Sequence, residues 1–540
     1  MIVGTLRLTT HRPCKQAGAV DGDALGHPRT PRLMTEPVVG TQNETRPTPH
    51  HDLDGFIVAH ECEQPLNPIA KGQEAREAKL LHGFKAARRT ALGIAAPPRL
   101  AKLDEQRLEP DKVARLREVR EYRCGRCADP DALLKAELHG SGRVSWSTSS
   151  GRSSIVNPPH RLAFDGAVDA DGHILEPPDL WERYLEPRWR DRALRIRIDD
   201  DGLEYLEIGG KASRMSNRGF PGTLGRMGET RVEELRPTPE RTYLSGAPFG
   251  SMDARERLRL LDAEHLDAAI LYPTLGILWE AELEDVELSQ AYCRAYNRWI
   301  ADFCSDSGGR LVPIAHLSLG DPAAAARELE RAVDNGCRGG FVVPFTIARK
   351  AHGHPDHDAV FAAAQDLGVP LALHPSFEPI AIVSRRFVET RKLRLLNSVI
   401  ASDGVRHAFT TLFDHGVFDR FPRLKIAVLE SGAGWIGYWL DRLDAVYEAT
   451  FIGGRVPLRE KPSFYFRRQC WISCDPDERT IPALMELVGA DRFVWASDYP
   501  HPDHTGDYLK RLEELATRLA EPARERLLGA NVREAYGLDI

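Results

Sequence analysis

Arg492-Phe493-Val494-Trp495-Ala496-Ser497-Asp498-Tyr499-Pro500-His501 reads as an apolar strand that finishes on a carboxylate and is closed off by a proline. Two upstream stretches share this design. Val369-Pro370-Leu371-Ala372-Leu373-His374-Pro375 ends on a histidine, and Ala167-Val168-Asp169-Ala170-Asp171-Gly172-His173 ends on an acid and a histidine. A parallel barrel places its catalytic groups at the C-terminal ends of its strands, so three ends offering Asp, His and Asp-x-His suggest a metal.

Working outward, eight apolar runs read as strands: 166–170, 268–273, 311–316, 339–344, 369–374, 424–429, 470–474 and 492–497. Amphipathic segments at 253–265, 285–306, 322–335, 357–367, 433–448 and 479–489 read as helices between them, with 506–535 following the last strand. Continuous apolar strands alternating with helices signal a parallel sheet covered on both faces, and eight repeats suggest closure. The expected fold is therefore α/β, a (β/α)8 TIM-like barrel. Two stretches break the alternation and read as insertions after strands one and five. The first, about 175–252, contains Leu194–Ile198 and Leu203–Ile208 around an Asp-Gly turn, the pattern of a hairpin. The second, about 377–415, reads as helical and follows His374, where it would roof a site.

Residues 1–160 have no sustained apolar period and carry Pro, Arg, His, Gly and Ser clusters, so they read as a largely disordered, low-order extension, with one candidate helix at 103–122. No methionine occurs between Met34 and Met215, which raises the expectation that the assigned start lies too far upstream. Native mass of the protein from its host checks this. Cys124-Gly-Arg-Cys127 lacks a second pair and reads as chance rather than as a zinc site. Residues 161–540 hold the barrel.

Composition narrows the function classes. Of the 540 residues 42% are hydrophobic and 28% charged, with net charge −7 and pI near 6.3, an ordinary soluble balance that argues against a nucleic-acid partner. Nine cysteines without framework spacing suggest a reducing compartment, by default the cytoplasm. The N-terminus has no apolar signal core and no window reads as a membrane span, so no membrane partner is expected.

A borderline or hard divalent ion takes imidazole nitrogen and carboxylate oxygen from rigid elements. Asp171 and His173 are two residues apart, so on an extended chain both side chains face the same way. His374 and Asp498 would complete the cage. Singly, each is as readily a hydrogen-bonded structural group; together they read as one metal site.

These residues carry a resemblance. The segment from about 165 to 538 is similar to the amidohydrolase superfamily, within it the amidohydrolase-related (amidohydrolase 2) or aminocarboxymuconate-semialdehyde decarboxylase-like branch. The likeness rests on Asp171-Gly-His173-Ile-Leu-Glu176-Pro177, the Pro370–His374 strand, Phe421-Pro-Arg-Leu-Lys425 and Ala496-Ser-Asp498-Tyr-Pro-His501. It implies that Asp171, His173, His374 and Asp498 ligate one divalent ion, zinc or alternatively manganese, and that Asp498 moves a proton. It also implies a homo-oligomer, a dimer, acting on a small organic acid. The expected activity is non-oxidative decarboxylation of a small aromatic or unsaturated carboxylic acid. The alternative is hydrolysis by a metal-activated water, and a non-catalytic barrel scaffold is the reading from another class.

One departure bears on the chemistry. By the resemblance, strand six should end on histidine, but Glu430 stands there, as an acid or base or as a partner orienting a ligand histidine. His316, at the end of strand three, is a further catalytic candidate or a packed strand-end residue. His501 is either a neighbour of the ligands or an ordinary turn residue. His352, His354 and His357 crowd the loop after strand four, where a second metal is weighed against a helix start. Asp179 reads as a cap, and Arg385-Arg386 and Arg391-Lys392 as a basic face or an attractor for an anionic substrate.

Overall fold

The computed structural model describes residues 159–229, 236–379, 393–449 and 456–540, together with three short strands further upstream. Eight parallel strand positions follow in chain order: β1 (Val168–Ile174), β2 (Ala268–Pro273), β3 (Leu311–Pro313 and Ala315–His316, broken at Ile314), β4 (Gly340–Val342), β5 (Pro370–Leu373), β6 (Lys425–Val428), β7 (Cys470–Cys474) and β8 (Phe493–Trp495). Each pairs with the next, β1 with β2 and β2 with the first half of β3, then from the second half of β3 onward to β8. Backbone bonds join the end of β8 to β1: Asp498 N donates to Asp171 O at 3.0 Å and His173 N to Tyr499 O at 2.8 Å.

Nearly every strand residue is buried, as the continuous apolar runs require of a sheet covered by helices. The covering helices start where the sequence offers caps. Asp253, Asp285 and Asp321 each accept a backbone N–H from the third residue onward, at Glu256, Leu288 and Ala324. The helix at Asp358–Leu367 ends on Gly368 with φ 70°, a left-handed position that costs glycine nothing. Asp179, expected as a cap, makes no such side-chain bond to the helix at Leu180–Tyr184.

Between β1 and β2 the chain forms a small antiparallel sheet, Arg195–Ile198, Glu204–Ile208 and Lys211–Ala212, with the hairpin turn at Asp199–Gly202. Further along, Met227 N donates to Pro500 O and Gly228 N to His504 O, at 3.2 and 3.3 Å, which seats this segment on the loop after β8. After β5, helices span Arg394–Ile400 and Asp403–Asp414. The rings of Phe220 and Phe377 lie 5.5 Å apart, so the segments after β1 and β5 touch.

The first strand differs from its reading. It runs on to Ile174 rather than stopping at 170, because a bulge between Asp169 and Gly172 lets the ladder with β2 resume beyond the polar residues. Within the stretch read as low-order, Glu121–Arg123, Leu133–His139 and Arg143–Thr148 pair as antiparallel strands. The candidate helix at 103–122 lies outside the described residues except Glu121 and Tyr122, which are in strand; Cys124, Cys127 and the two basic pairs also lie outside them. No described helix is long and apolar enough to cross a membrane.

Candidate metal centre

Asp171 lies in the bulge of β1 and His173 just past it, and Gly172 between them has a specific reason to be glycine. A Cβ there would fall 2.6 Å from Asp169 Oδ2 and 2.7 Å from Arg257 Nη2. Beneath the site Asp169 ties the two ends of the sheet together. Its Oδ1 accepts from Asp171 N at 3.3 Å and Ser497 N at 3.0 Å, and its Oδ2 from Ser497 Oγ at 2.6 Å. Arg257 donates to His173 O at 3.1 Å and lies over the Tyr499 ring. Gly172→Ala is therefore expected to cost about 1–3 kcal/mol of overpacking and to weaken metal uptake, checked by unfolding and by metal content of the purified variant.

The groups proposed as ligands gather at the strand ends, Asp171, His173 and His374 in one set and Asp498 joined to it through His173. His173 Nε2 and His374 Nε2 are 3.3 Å apart; His173 Nε2 lies 3.5 Å from Asp171 Oδ1 and 3.2 Å from Asp498 Oδ1; His374 Nε2 lies 3.5 Å from Asp171 Oδ1. The other ring nitrogens are spoken for. His173 Nδ1 bonds Pro273 O at 2.9 Å and His374 Nδ1 bonds Pro375 O at 2.7 Å. Since a carbonyl only accepts, both Nδ1 atoms donate, and in the neutral rings both Nε2 lone pairs point at the same place.

That convergence is a test of fit for a cation. Both oxygens of Asp171 are buried without a hydrogen-bond partner, while those of Asp498 face His501 Nδ1 at 2.7 Å and His504 Nε2 at 3.2 Å. Carboxylate oxygens and imidazole nitrogens gathered within 3.5 Å of one another are stabilised by positive charge between them. The donor set of two imidazoles and two carboxylates suits zinc or manganese.

The electrostatics say the same. Burial pushes the His173 imidazole well below its ordinary range, with His501 and His374 adding to the shift. Burial, and then the neighbouring carboxylates of Asp503 and Asp171, push the Asp498 carboxyl well above its ordinary range. For His374 burial pulls the pKa down, but Asp171 and Glu430 outweigh it and the net shift is upward. The crowd of acids cannot all be ionised in a dry pocket without a compensating charge, and a cation reverses these upward shifts.

Glu430 belongs to the same cluster. Its Oε2 is 3.2 Å from His374 Nε2, and burial followed by Asp498 raises its carboxyl. His501 sits against the cluster: Nδ1 is 2.7 Å from Asp498 Oδ1, Nε2 is 3.0 Å from Thr274 Oγ1, and its ring lies tilted against His173 with centroids 4.0 Å apart.

His316 is placed otherwise. Its Nε2 is 3.1 Å from Glu280 Oε2, whose other oxygen accepts from Ser318 Oγ, and its ring stacks on Phe341 at 4.4 Å. Those partners are the reason it packs as a strand-end group rather than joining the converging donors. The loop after β4 is likewise structural, since His352 bonds Val343 O and His357 bonds His352 O. Among the described residues the groups able to hold an ion are Asp171–His173–His374, His173–Asp498–His501 and Asp498–Asp503–His504.

Several partners were not anticipated from sequence. His504 Nε2 lies 3.2 Å from Asp498 Oδ2 with a quarter of the side chain exposed, and the alternating Pro500-His501-Pro502-Asp503-His504 was the available signal. Glu176 accepts three backbone N–H groups, from Thr274, Leu275 and Gly276, and so holds the loop after β2 in place. Asp169 had no signal beyond being an acid inside an apolar strand.

Comparison with known proteins gives a consistent picture. The family model described as Amidohydrolase matches residues 169–538. Gamma-resorcylate decarboxylase of Rhizobium sp. (strain MTP-10005) is 29% identical over 296 residues, covering 52% of this chain and 86% of the relative. Among solved structures, an amidohydrolase from Mycobacterium avium subsp. paratuberculosis K-10 superposes with TM-score 0.59 at 20% identity, over 69% of this chain and 99% of that one. The 5-carboxyvanillate decarboxylase of Novosphingobium aromaticivorans DSM 12444, solved with bound manganese, gives 0.51 at 19% identity, over 69% and 97%.

Proposed function

The chain belongs to the amidohydrolase family, and from that premise we propose that this enzyme is a metal-dependent, non-oxidative decarboxylase of a small aromatic or unsaturated carboxylic acid. The observation that carries the proposal is the orphaned Asp171 carboxylate beside the imidazole nitrogens of His173 and His374, with Asp498 against His173. Asp171, His173, His374 and Asp498 would hold the ion. Zinc suits this set, and the manganese bound by the Novosphingobium decarboxylase makes manganese its alternative. When bound, such an ion polarises substrate oxygens and offsets charge that builds up in the transition state.

Decarboxylation replaces a carboxylate by a proton: the carbon–carbon bond breaks, its electron pair stays on the carbon that lost CO2, and that carbon takes H+. Asp498 is the donor we assign. One of its oxygens faces His501 and the other His504, and His504 is open enough to recover a proton from solvent. Burial of the cluster keeps water from competing for the reacting carbon.

The first experiment is headspace CO2 measured across a panel of hydroxybenzoic acids with Mn2+ or Zn2+ added. CO2 release matching the loss of acid, stopped by a chelator and restored by either ion, is the expected result. A second reading, hydrolysis, is favoured by Glu430, a carboxylate beside the centre that could take a proton from water. Incorporation of oxygen from 18O-labelled water without CO2 would move the assignment there. Buried free thiols at Cys293, Cys304, Cys337, Cys470 and Cys474 accord with a reducing, cytoplasmic setting. The proposed homodimer is checked by light scattering.

A further inference from the structure

We propose that a small monovalent anion of the halide class is held between Arg492 and Trp471, near the starts of β8 and β7 and so at the other end of the strands from the metal centre. The site is independent of the reaction assigned above.

Three donors at this place have no acceptor. Nε and Nη1 of Arg492 and Nε1 of Trp471 are buried without a hydrogen-bond partner among the described residues, and the two residues are only 7% and 3% exposed. They form one stack. Trp471 lies in β7, Arg492 immediately precedes β8, where Phe493 pairs with Ile472, and the guanidinium carbon sits 4.9 Å from the centroid of the indole. Only Nη2 of Arg492 is engaged, at 2.8 Å from Asp491 Oδ2 and 3.9 Å from Glu534 Oε1. The remaining edge of a buried guanidinium loses its hydration and gains nothing in return unless an acceptor meets it.

Charge decides what that acceptor is. Three cations gather beside the helix at Asn531–Tyr536: Arg492; Lys425, whose Nζ donates to Glu534 O and Ala535 O at 3.0 Å; and Arg526, whose Nη1 donates to Glu534 Oε2 at 2.9 Å. Their carboxylate partners are two. Asp491 and Glu534 both have 45% of the side chain in solvent, so each is a screened counter-charge for the buried Arg492. A water molecule would accept the same hydrogen bonds and leave the positive charge where it is, whereas a compact anion answers both needs. A phosphate or sulfate brings more oxygens than there are free donors. Bound here, the ion joins β7 to β8 at the end of the sheet that the metal does not reach.

The test has a crystallographic arm and a solution arm, both on the full-length chain. Crystals of the wild type soaked in bromide should show an anomalous peak within hydrogen-bond reach of the Arg492 and Trp471 nitrogens. In solution the thermal midpoint of the wild type should climb with NaCl or NaBr relative to sodium gluconate at equal ionic strength and equal metal content, as a ligand bound only by the folded state requires. W471F, which keeps an aromatic ring under the guanidinium, should bind halide ~10-fold more weakly, as loss of one hydrogen bond to a charged group implies; R492Q should show no halide-specific rise. If R492Q does not fold by circular dichroism, the bromide peak and W471F decide alone. A water where the bromide is expected, or an equal halide response in the wild type and W471F, overturns the site. So does a bromide peak without halide-specific stabilisation in solution, which marks an adventitious ion only.

Discussion

His374→Ala is expected to leave a folded protein that retains no stoichiometric metal and has lost at least ~10³-fold in kcat/KM, since a bound cation supplies several kcal/mol of charge stabilisation and each 1.36 kcal/mol is a factor of ten. The position is decisive because His374 Nε2 lies within 3.5 Å of His173, Asp171 and Glu430 alike. No neighbouring side chain can move in as a substitute, because His501, the nearest spare imidazole, is committed to Asp498 and Thr274. Elemental analysis and a kinetic assay on the same preparation check it. A variant with one ion per chain and near-normal turnover would remove His374 from the centre.

Asp169→Ala should have the largest effect on stability, a loss of about 3–5 kcal/mol, the usual consequence of stranding one charge of a buried set. Both Asp169 and Arg257 are 2% exposed. Truncating the acid removes one of the buried carboxylates that interact with the Arg257 guanidinium and leaves three donors, Asp171 N, Ser497 N and Ser497 Oγ, without their acceptor. The same bonds join β1 to the end of β8, so metal affinity should fall along with the unfolding midpoint. Denaturant unfolding of the chelator-treated protein isolates the structural share, and Asp169→Asn, which keeps the shape, should lose less. Stability unchanged in Asp169→Ala would show that the sheet closes without this carboxylate.

The strands were readable because each is a short apolar run between helical patterns, and the three ending in Asp-x-His, His and Asp announced a shared site. What was not readable depended on partners far away in the chain. His316 looks like another strand-end catalyst until Glu280, 36 residues earlier, is brought beside it. Asp169 looks misplaced in its strand until Ser497, 328 residues on, supplies two donors. The bulge that carries β1 past its polar residues leaves no mark on an alternation pattern, since it is the neighbouring strand that reveals the shift. Glu430 was visible as a carboxylate where the resemblance leads one to expect an imidazole, but its left-handed backbone, which aims it, is a property of the fold.

Because the first and last strands are joined through the very residues proposed to hold the ion, a ribosome must finish almost the whole polypeptide before the cage exists. Asp171 and His173 emerge early and wait; Asp498 arrives last and, through Asp498 N to Asp171 O and His173 N to Tyr499 O, shuts the ring. Loading is therefore a late event in the life of the molecule, and the supply of free ion in its surroundings bears directly on how firmly newly made chains stay shut, since binding energy at such a seam is folding energy.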